Sequence, residues 1–193
     1  MDFASSFERG LGEARHEVVA LRRELETTDG DARERLLDRI AEVEERYQTQ
    51  LTLVVVANEL ASATTRTDRL GVVFQTVINL IGCEEIAVLD TVGHADERRF
   101  FVTHSMGVDP TWLRGVNDAG RLGRLIRAGH LRMPGVGPSL APVDPRLCAI
   151  VPMNDEEGVF SVALLYGLLP QKHGRLSDRD RTLLRLIHEF PPR

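Results

Sequence analysis

The stretch Leu147–Pro170 of this chain reads LCAIVPMNDEEGVFSVALLYGLLP. The polar turn Asn154–Gly158 separates two apolar runs, a pattern typical of a β-hairpin. In each run, the side chains at both odd and even positions are mainly apolar, so each strand presents apolar groups to both faces of a sheet. A strand of this kind must be covered on both faces. The hairpin therefore predicts the centre of a sheet in a mixed α+β domain, with helices or a lid above and below.

Length and charge limit the classes of protein to which the chain can belong. Its 193 residues are enough for one domain and an extension. Lys and Arg number 24 against 29 Asp and Glu, and no dense basic block is present, which disfavours a nucleic-acid partner. The first residues lack the features of a signal peptide, and no apolar run reaches the about 20 residues that span a bilayer. We expect a cytoplasmic protein without a membrane partner.

The first fifty residues predict a helical coiled-coil arm. Apolar residues from Phe7 to Leu25 are spaced alternately four and three apart with charged residues between them, as at the a and d positions of a coiled coil. The pattern breaks at residues 27–31, where Gly30 and Asp31 indicate a helix end and a new N-cap, and it resumes at Leu36. The arm is either one long helix with a defect or two helices in an antiparallel hairpin.

The arm pattern also predicts a homodimer, because isolated helices of this composition are marginal in water. In a symmetric dimer, the arm and the apolar helix 51–65 would form a bundle with their mates. The alternative is a helix that packs on its own domain. The residues predicted at the dimer interface are Phe7, Leu11, Val18, Leu21, Leu25, Leu36, Ile40, Val43, Tyr47 and Val54.

The globular domain is predicted to span residues 51–190, after an arm of residues 1–50. Residues 51–61 (LTLVVVANELA) are apolar nearly all round, which is typical of a helix buried on several sides. A further helix ends at Gly82, and strands at 85–92 and 99–104 predict a second hairpin. Ser177 and Asp180 stand at the spacing of a capping box and start the last helix.

Residues 107–146 differ from the rest of the domain. They contain seven glycines, five prolines and the only tryptophan, with one short helical candidate at 122–128. A segment this rich in loops inside a compact domain is typically a lid or a binding region.

Three stretches of this domain resemble the GAF domains, a family of small ligand-sensing modules. They are NELASATTRTDRLGVVFQTVINLIG followed by EEIAVLDT, GRLGRLIRAG at 120–129, and LCAIVPMNDEEGVFSVALLYG followed by LSDRDRTLLRLI. The resemblance implies an antiparallel sheet of five or six strands, with the terminal helices on one face and a variable lid over a pocket on the other.

Motifs for metal or covalent chemistry are missing from the sequence. None of the six histidines is paired with a second His or Cys at ligand spacing, and the nearest approach, His94 with Asp96, falls in a predicted turn. No nucleophile motif is present. Cys83 and Cys148 are predicted to be free buried thiols. Because no cysteine lies between them, the lid has no thiol for the covalent bilin that some GAF domains carry. We expect neither a metal nor a covalent bilin, and the cofactor is unidentified.

The candidate ligand contacts are Trp112, Arg121, Arg124 and His104. The arginines and the start of the short helix favour an anionic small molecule. The alternative is a solvated basic loop, with Trp112 filling the pocket. A pocket filled by Trp112, Phe101 and Met106 would oppose ligand binding.

The sequence thus predicts a non-enzymatic cytoplasmic signalling or regulatory protein: a dimeric GAF-like sensor of a small molecule that acts through a protein partner. One alternative is a ligand-free adaptor that only mediates protein-protein interaction. A more remote one is a thiol-dependent small-molecule reductase that uses Cys83 and Cys148.

Overall fold

The computed structural model describes residues 3–93 and 98–190, and side chains from Arg9 onward within these ranges. The described part is an α+β protein with five α-helices and one four-stranded antiparallel sheet. The chain divides into two compact units, Met1–Ala61 and Ser62–Arg193, and each unit is described by itself below. The predicted boundary at residue 50 falls inside the second helix.

The first unit contains two helices, α1 (Phe3–Leu25) and α2 (Asp31–Ser62). The chain turns between them at Gly30, whose φ of +63° suits a glycine. The hydroxyl of Thr28 donates to the Glu24 carbonyl at 2.8 Å, which satisfies a carbonyl at the end of α1. Of the two arrangements that the sequence left open, the structure has the antiparallel hairpin.

The hairpin is held together by the apolar seam that the sequence assigned to a coiled coil. Ala14 and Leu21 of α1 form a buried cluster with Ile40 and Val43 of α2. Val18, Leu25, Leu36 and Tyr47 pack against this cluster. The turn lets α2 fold back and supply the partner helix that the seam requires.

Seven of the ten predicted dimer residues therefore pack inside one chain. They are Val18, Leu21, Leu25, Leu36, Ile40, Val43 and Tyr47. Leu11 and Val54 are half-buried, and the side chain of Phe7 lies outside the described residues. Self-association stays a prediction.

Ion pairs on the hairpin surface join the same two helices. Glu17 accepts from Arg39 at 3.1 Å and also from Arg46, and Arg22 donates to Glu44 at 2.6 Å. The hydrogen bond from Arg39 and then that from Arg46 lower the pKa of the Glu17 carboxyl. Because exposed ion pairs add little stability, these pairs mainly fix the register of the hairpin.

The second unit is built on a sheet of four strands in the order β2-β1-β4-β3. The strands are β1 (Cys83–Val92), β2 (Arg99–Met106), β3 (Ala149–Asp155) and β4 (Gly158–Leu168). The predicted hairpin forms from β3 and β4, with Ala149 opposite Leu165. Its second strand, β4, is central, whereas β3 lies at the edge.

The expected five or six strands are not found: the described residues form four. Residues 107–146, which we call the lid, run beside β3, but Arg132 makes only an isolated bridge to Ile150 there. Beyond this bridge, the chain turns at once through Pro134, Gly135 and Gly137, and Pro and Gly weaken a strand. The region that would complete the sheet therefore stays a loop.

Both faces of the β3–β4 hairpin are covered, as its apolar pattern required. One face packs against the lid through Ala87, Leu89 and Ile150. The alternate residues of the strands, such as Val88 and Leu165, are completely buried on the other face. The helices α3 (Arg66–Thr76) and α5 (Asp178–Glu189) contact the strands. Neither helix contributes a residue to the buried cluster between the lid and the sheet, so both helices lie on the other face. We call the two sides the lid face and the helix face.

Local signals position the helices of this unit. Thr65 and Asp68 form a capping box at the start of α3, and the predicted capping box of Ser177 and Asp180 starts α5. After α3, one π-helical turn (Val77–Ile81) leads to Gly82, whose φ is +76°. Among the described residues, no helix has both the length and the apolar character needed to cross a membrane.

Candidate functional site

The lid covers its face of the sheet mainly with apolar side chains. Val116, Ile126 of α4 (Arg121–Arg127) and Leu140 are buried against the strands. Phe101 and Met106, which the sequence analysis considered as pocket fillers, are exposed instead. The centre of the lid face is therefore filled by lid aliphatics, and an open space must be sought at its margin.

Two aromatic rings tilted by 51°, with an arginine over one of them, close one part of this face; we call this group the stack. Trp112 lies in a short 3-10 helix (Pro110–Leu113), and its ring centroid is 5.3 Å from that of Tyr166 on β4. The guanidinium of Arg146 lies 3.9 Å from the centroid of the indole ring. Asp144 accepts two hydrogen bonds from this guanidinium, at 3.0 and 2.7 Å. The Arg146–Trp112–Tyr166 stack is thus held by an ion pair at its outer end.

The inner end of the stack contains an unpaired polar group. Tyr166 is only 2% exposed, and its hydroxyl has no hydrogen-bond partner among the described residues. Burial raises the pKa of Tyr166 to about 12; the negative charge of Asp144 acts in the same direction, and Arg146 acts against it. The phenol is therefore neutral at physiological pH and can donate a hydrogen bond.

A cavity of about 470 Å³ lies between the loop after α4 and the start of β3. It is lined by residues 133–135 and 137–141 with Pro145, Leu147 and Cys148. Ser139 and Cys148 supply the only polar side chains of this lining, and none of it is charged. The volume and the apolar lining suit a small organic molecule.

The two thiols of the chain are free, as predicted, but only Cys83 is buried and Cys148 is partly exposed. Cys148 donates to the carbonyl oxygen of Tyr166 at 2.8 Å, and Cys83 donates to that of Gly167 at 3.0 Å. Burial raises the pKa of the Cys83 thiol to about 12 and also raises that of Cys148, with a further contribution from Glu85. Reactive cysteines have a lowered pKa, so this environment opposes nucleophilic chemistry.

The structure does not bring the four predicted ligand contacts together. Trp112 lies in the stack, but His104 packs against Phe74 of α3, with ring centroids 5.3 Å apart. Arg121 donates to the Pro142 carbonyl at 3.3 Å, and Arg124 donates to that of Ala119 at 2.5 Å. Both arginines serve to hold lid backbone, and neither lines the cavity.

Sequence reasoning did not identify the residues of the cavity or the partners of Trp112 in the stack. Tyr166 was assigned only to the apolar pattern of its strand, and Arg146 and Cys148 were not considered as ligand contacts. One available signal was that Tyr166 lies two residues after Leu164 and therefore on the same face of the strand. A tyrosine in a buried aliphatic run requires a partner for its hydroxyl.

Groups of three or more His, Cys, Asp or Glu side chains placed to hold a metal ion are absent from residues 3–93 and 98–190. His94 and Asp96 lie outside the described residues.

Comparison with known proteins yielded no match, either to a family model or to a curated protein. The function has to be inferred from the cavity, the stack and the fold.

Proposed function

We propose that this protein is a non-enzymatic, cytoplasmic, GAF-like regulatory module that binds a small neutral molecule in the cavity beside Cys148 and acts through a protein partner. The observation that carries the proposal is the cavity of about 470 Å³ with its uncharged lining. Its volume lies within the range of about 300–1,000 Å³ that is usual for small-molecule sites.

The positions of the lid arginines support a neutral ligand. The three arginines of α4 are engaged with backbone: Arg121 and Arg124 as described, and Arg127 with the carbonyls of Asp118 and Asn117 at 3.2 and 3.1 Å. Arg146 is engaged with Asp144. An anion in the cavity would therefore have to break existing contacts to gain a guanidinium partner. The sequence led us to expect an anionic ligand, so the binding experiment below includes anionic compounds.

The thiols support both the non-enzymatic assignment and the compartment. A reductase would need a thiolate, whereas burial raises the pKa of Cys83 and Cys148. Free thiols are also usual in a reducing cytoplasm.

The arrangement of the second unit supports a GAF-like assignment. A lid lies on one face of an antiparallel sheet, the short helix α4 lies within the lid, and α5 follows the last strand. The four strands are fewer than the resemblance implies. The assignment therefore rests on the sequence pattern together with the order of the elements.

We also propose that the helical hairpin forms the homodimer. Val19 of α1 and Leu37 of α2 remain 46% and 47% exposed, although the seam itself is filled. Val18, Val19 and Tyr47 line a groove of about 380 Å³ on the hairpin. A second hairpin would cover these groups in a four-helix bundle. Val19→Asp with Leu37→Asp is expected to halve the mass measured by light scattering, whereas a wild-type monomer would contradict dimerisation.

Ligand binding is tested by a thermal-shift screen with neutral and anionic small molecules, because a ligand that binds only the folded state raises its stability. Ala141→Phe should fill the cavity and abolish the shifts. Ala119→Phe makes the same change on an exposed lid residue that does not line the cavity, and it should leave them unchanged. Shifts that survive Ala141→Phe, or that arise only from anions, would contradict the proposed site.

The close packing of the lid centre favours one alternative, a ligand-free adaptor. Val116 and Ile126 fill the middle of the lid face, so only the margin is open. An adaptor predicts no shift with any compound and unchanged partner binding in the Ala141→Phe variant.

A further inference from the structure

We infer that the hydroxyl of Tyr166 is the polar anchor of the ligand, and that the ligand is a neutral molecule carrying a carbonyl-type hydrogen-bond acceptor. This inference rests on the proposed function and names the ligand class of the same site.

The first observation is the unpaired hydroxyl itself. Tyr166 is almost completely buried, and none of the described residues accepts from or donates to its oxygen. Buried polar groups are nearly always hydrogen-bonded, and leaving one unpaired is costly. A tyrosine retained here without a partner is explained if a bound molecule supplies one. Phenylalanine would fill the same space without that cost.

The second observation is that Tyr166 shares a buried cluster with two residues of the cavity wall. Leu140 and Leu147 line the cavity and also belong to the buried cluster that contains Tyr166. Cys148, a further wall residue, donates its thiol hydrogen to the main-chain oxygen of Tyr166 at 2.8 Å. Because these two leucines belong to both the lining and the cluster, we expect a shift of their side chains on ligand binding to connect the cavity with the hydroxyl.

The charges that act on the hydroxyl favour a neutral acceptor. Asp144 and Arg146 act electrostatically on Tyr166, and they are paired with each other. An anionic ligand oxygen at Tyr166 would approach the carboxylate of Asp144, while Arg146 is already occupied by that carboxylate and by Trp112. A ketone or amide oxygen accepts the hydrogen bond without this repulsion.

The test uses a matched pair of probes, 1-indanone and indane, which differ by the carbonyl oxygen. Binding is measured by NMR titration of the wild type, Tyr166→Phe and, as a matched control, Tyr47→Phe on the hairpin. In the wild type and in Tyr47→Phe, indanone should bind at least about fivefold more tightly than indane. In Tyr166→Phe the two should bind equally. Without ligand, Tyr166→Phe should be at least as stable as the wild type, because it removes an unpaired group.

The possible failures are distinguishable. If neither probe binds the wild type and the wider screen gives no shift, the proposed function fails and this inference fails with it. If indane binds but indanone gains nothing, or if its advantage persists in Tyr166→Phe, only the anchor is overturned. Lower stability of unliganded Tyr166→Phe would also overturn it, because the hydroxyl would then already have a partner such as a bound water.

Discussion

The two faces of the sheet are made by alternate residues of the same strands, yet they differ in completeness. On the helix face, Val88, Val151 and Leu165 are fully buried. On the lid face, Leu164 is equally buried, but Tyr166 leaves its hydroxyl unpaired, and residues of the lid line a cavity. Regular helices complete the first face, and an irregular loop incompletely covers the second. The helix face thus provides stability, and the lid face has the capacity to bind.

The comparison can be tested by removing the same side chain from each face. Leu165→Ala should lower the free energy of unfolding by about 3–5 kcal/mol, because the rigid surroundings leave a new cavity. Leu147→Ala should cost about 2 kcal/mol or less, because Leu147 already borders a cavity. Urea denaturation measures both values. Equal losses would show that the two faces are equally well packed.

A second prediction concerns alkaline pH. The folded-state pKa of Tyr166 is about 12, above its ordinary value of 10.0, so the unfolded chain releases this proton first. The contribution that the protonated Tyr166 makes to the free energy of unfolding is fully present below pH 10. It is lost as the pH rises to 12, by roughly 2 kcal/mol. Unfolding free energies of the wild type and Tyr166→Phe, measured from pH 9 to 11.5, should diverge as the pH rises, because only the wild type loses stability through this residue. Parallel curves would mean that the hydroxyl is not desolvated.

The smallest predicted effect is on the outer end of the stack. Arg146→Met removes the ion pair with Asp144 and the cation contact with Trp112. Because Arg146 is partly exposed, global stability should change less than in the two experiments above. Amide hydrogen exchange at Asp144 and at residues 146–148 should nevertheless accelerate. Arg114→Met, on an exposed arginine of the same lid, is the control and should leave that exchange unchanged.

The sequence predicted the parts of the fold that depend on local patterns. The hairpin at Leu147–Pro170 and the capping box at Ser177 were confirmed, because alternation and cap spacing act over a few residues. The number of strands was wrong, because it depends on how far the lid pairs with β3 beyond the bridge of Arg132 and Ile150. The choice between one arm helix and two was left open, because the geometry at Gly30 suits either a defect or a turn.

Less of the candidate site was predictable. Trp112, predicted as a ligand contact, lies in the stack but does not line the cavity. The partners of Arg121 and Arg124 are backbone carbonyls, which leave no mark in a sequence. The unpaired hydroxyl of Tyr166 depends on the positions of Trp112 and of Arg146 with its loop. Such contacts between distant irregular segments are not encoded in any local spacing.

The central claim is that the lid face, and not the helix face, binds a small neutral molecule. The most direct measurement is an NMR titration with 1-indanone of the protein labelled at leucine methyl groups. The account predicts saturable shifts of Leu140 and Leu147, which line the cavity, with little change at Leu165 and Leu184, which are buried away from it. It would be contradicted if the lid-face methyls did not shift, or if the largest shifts occurred at Leu165 and Leu184.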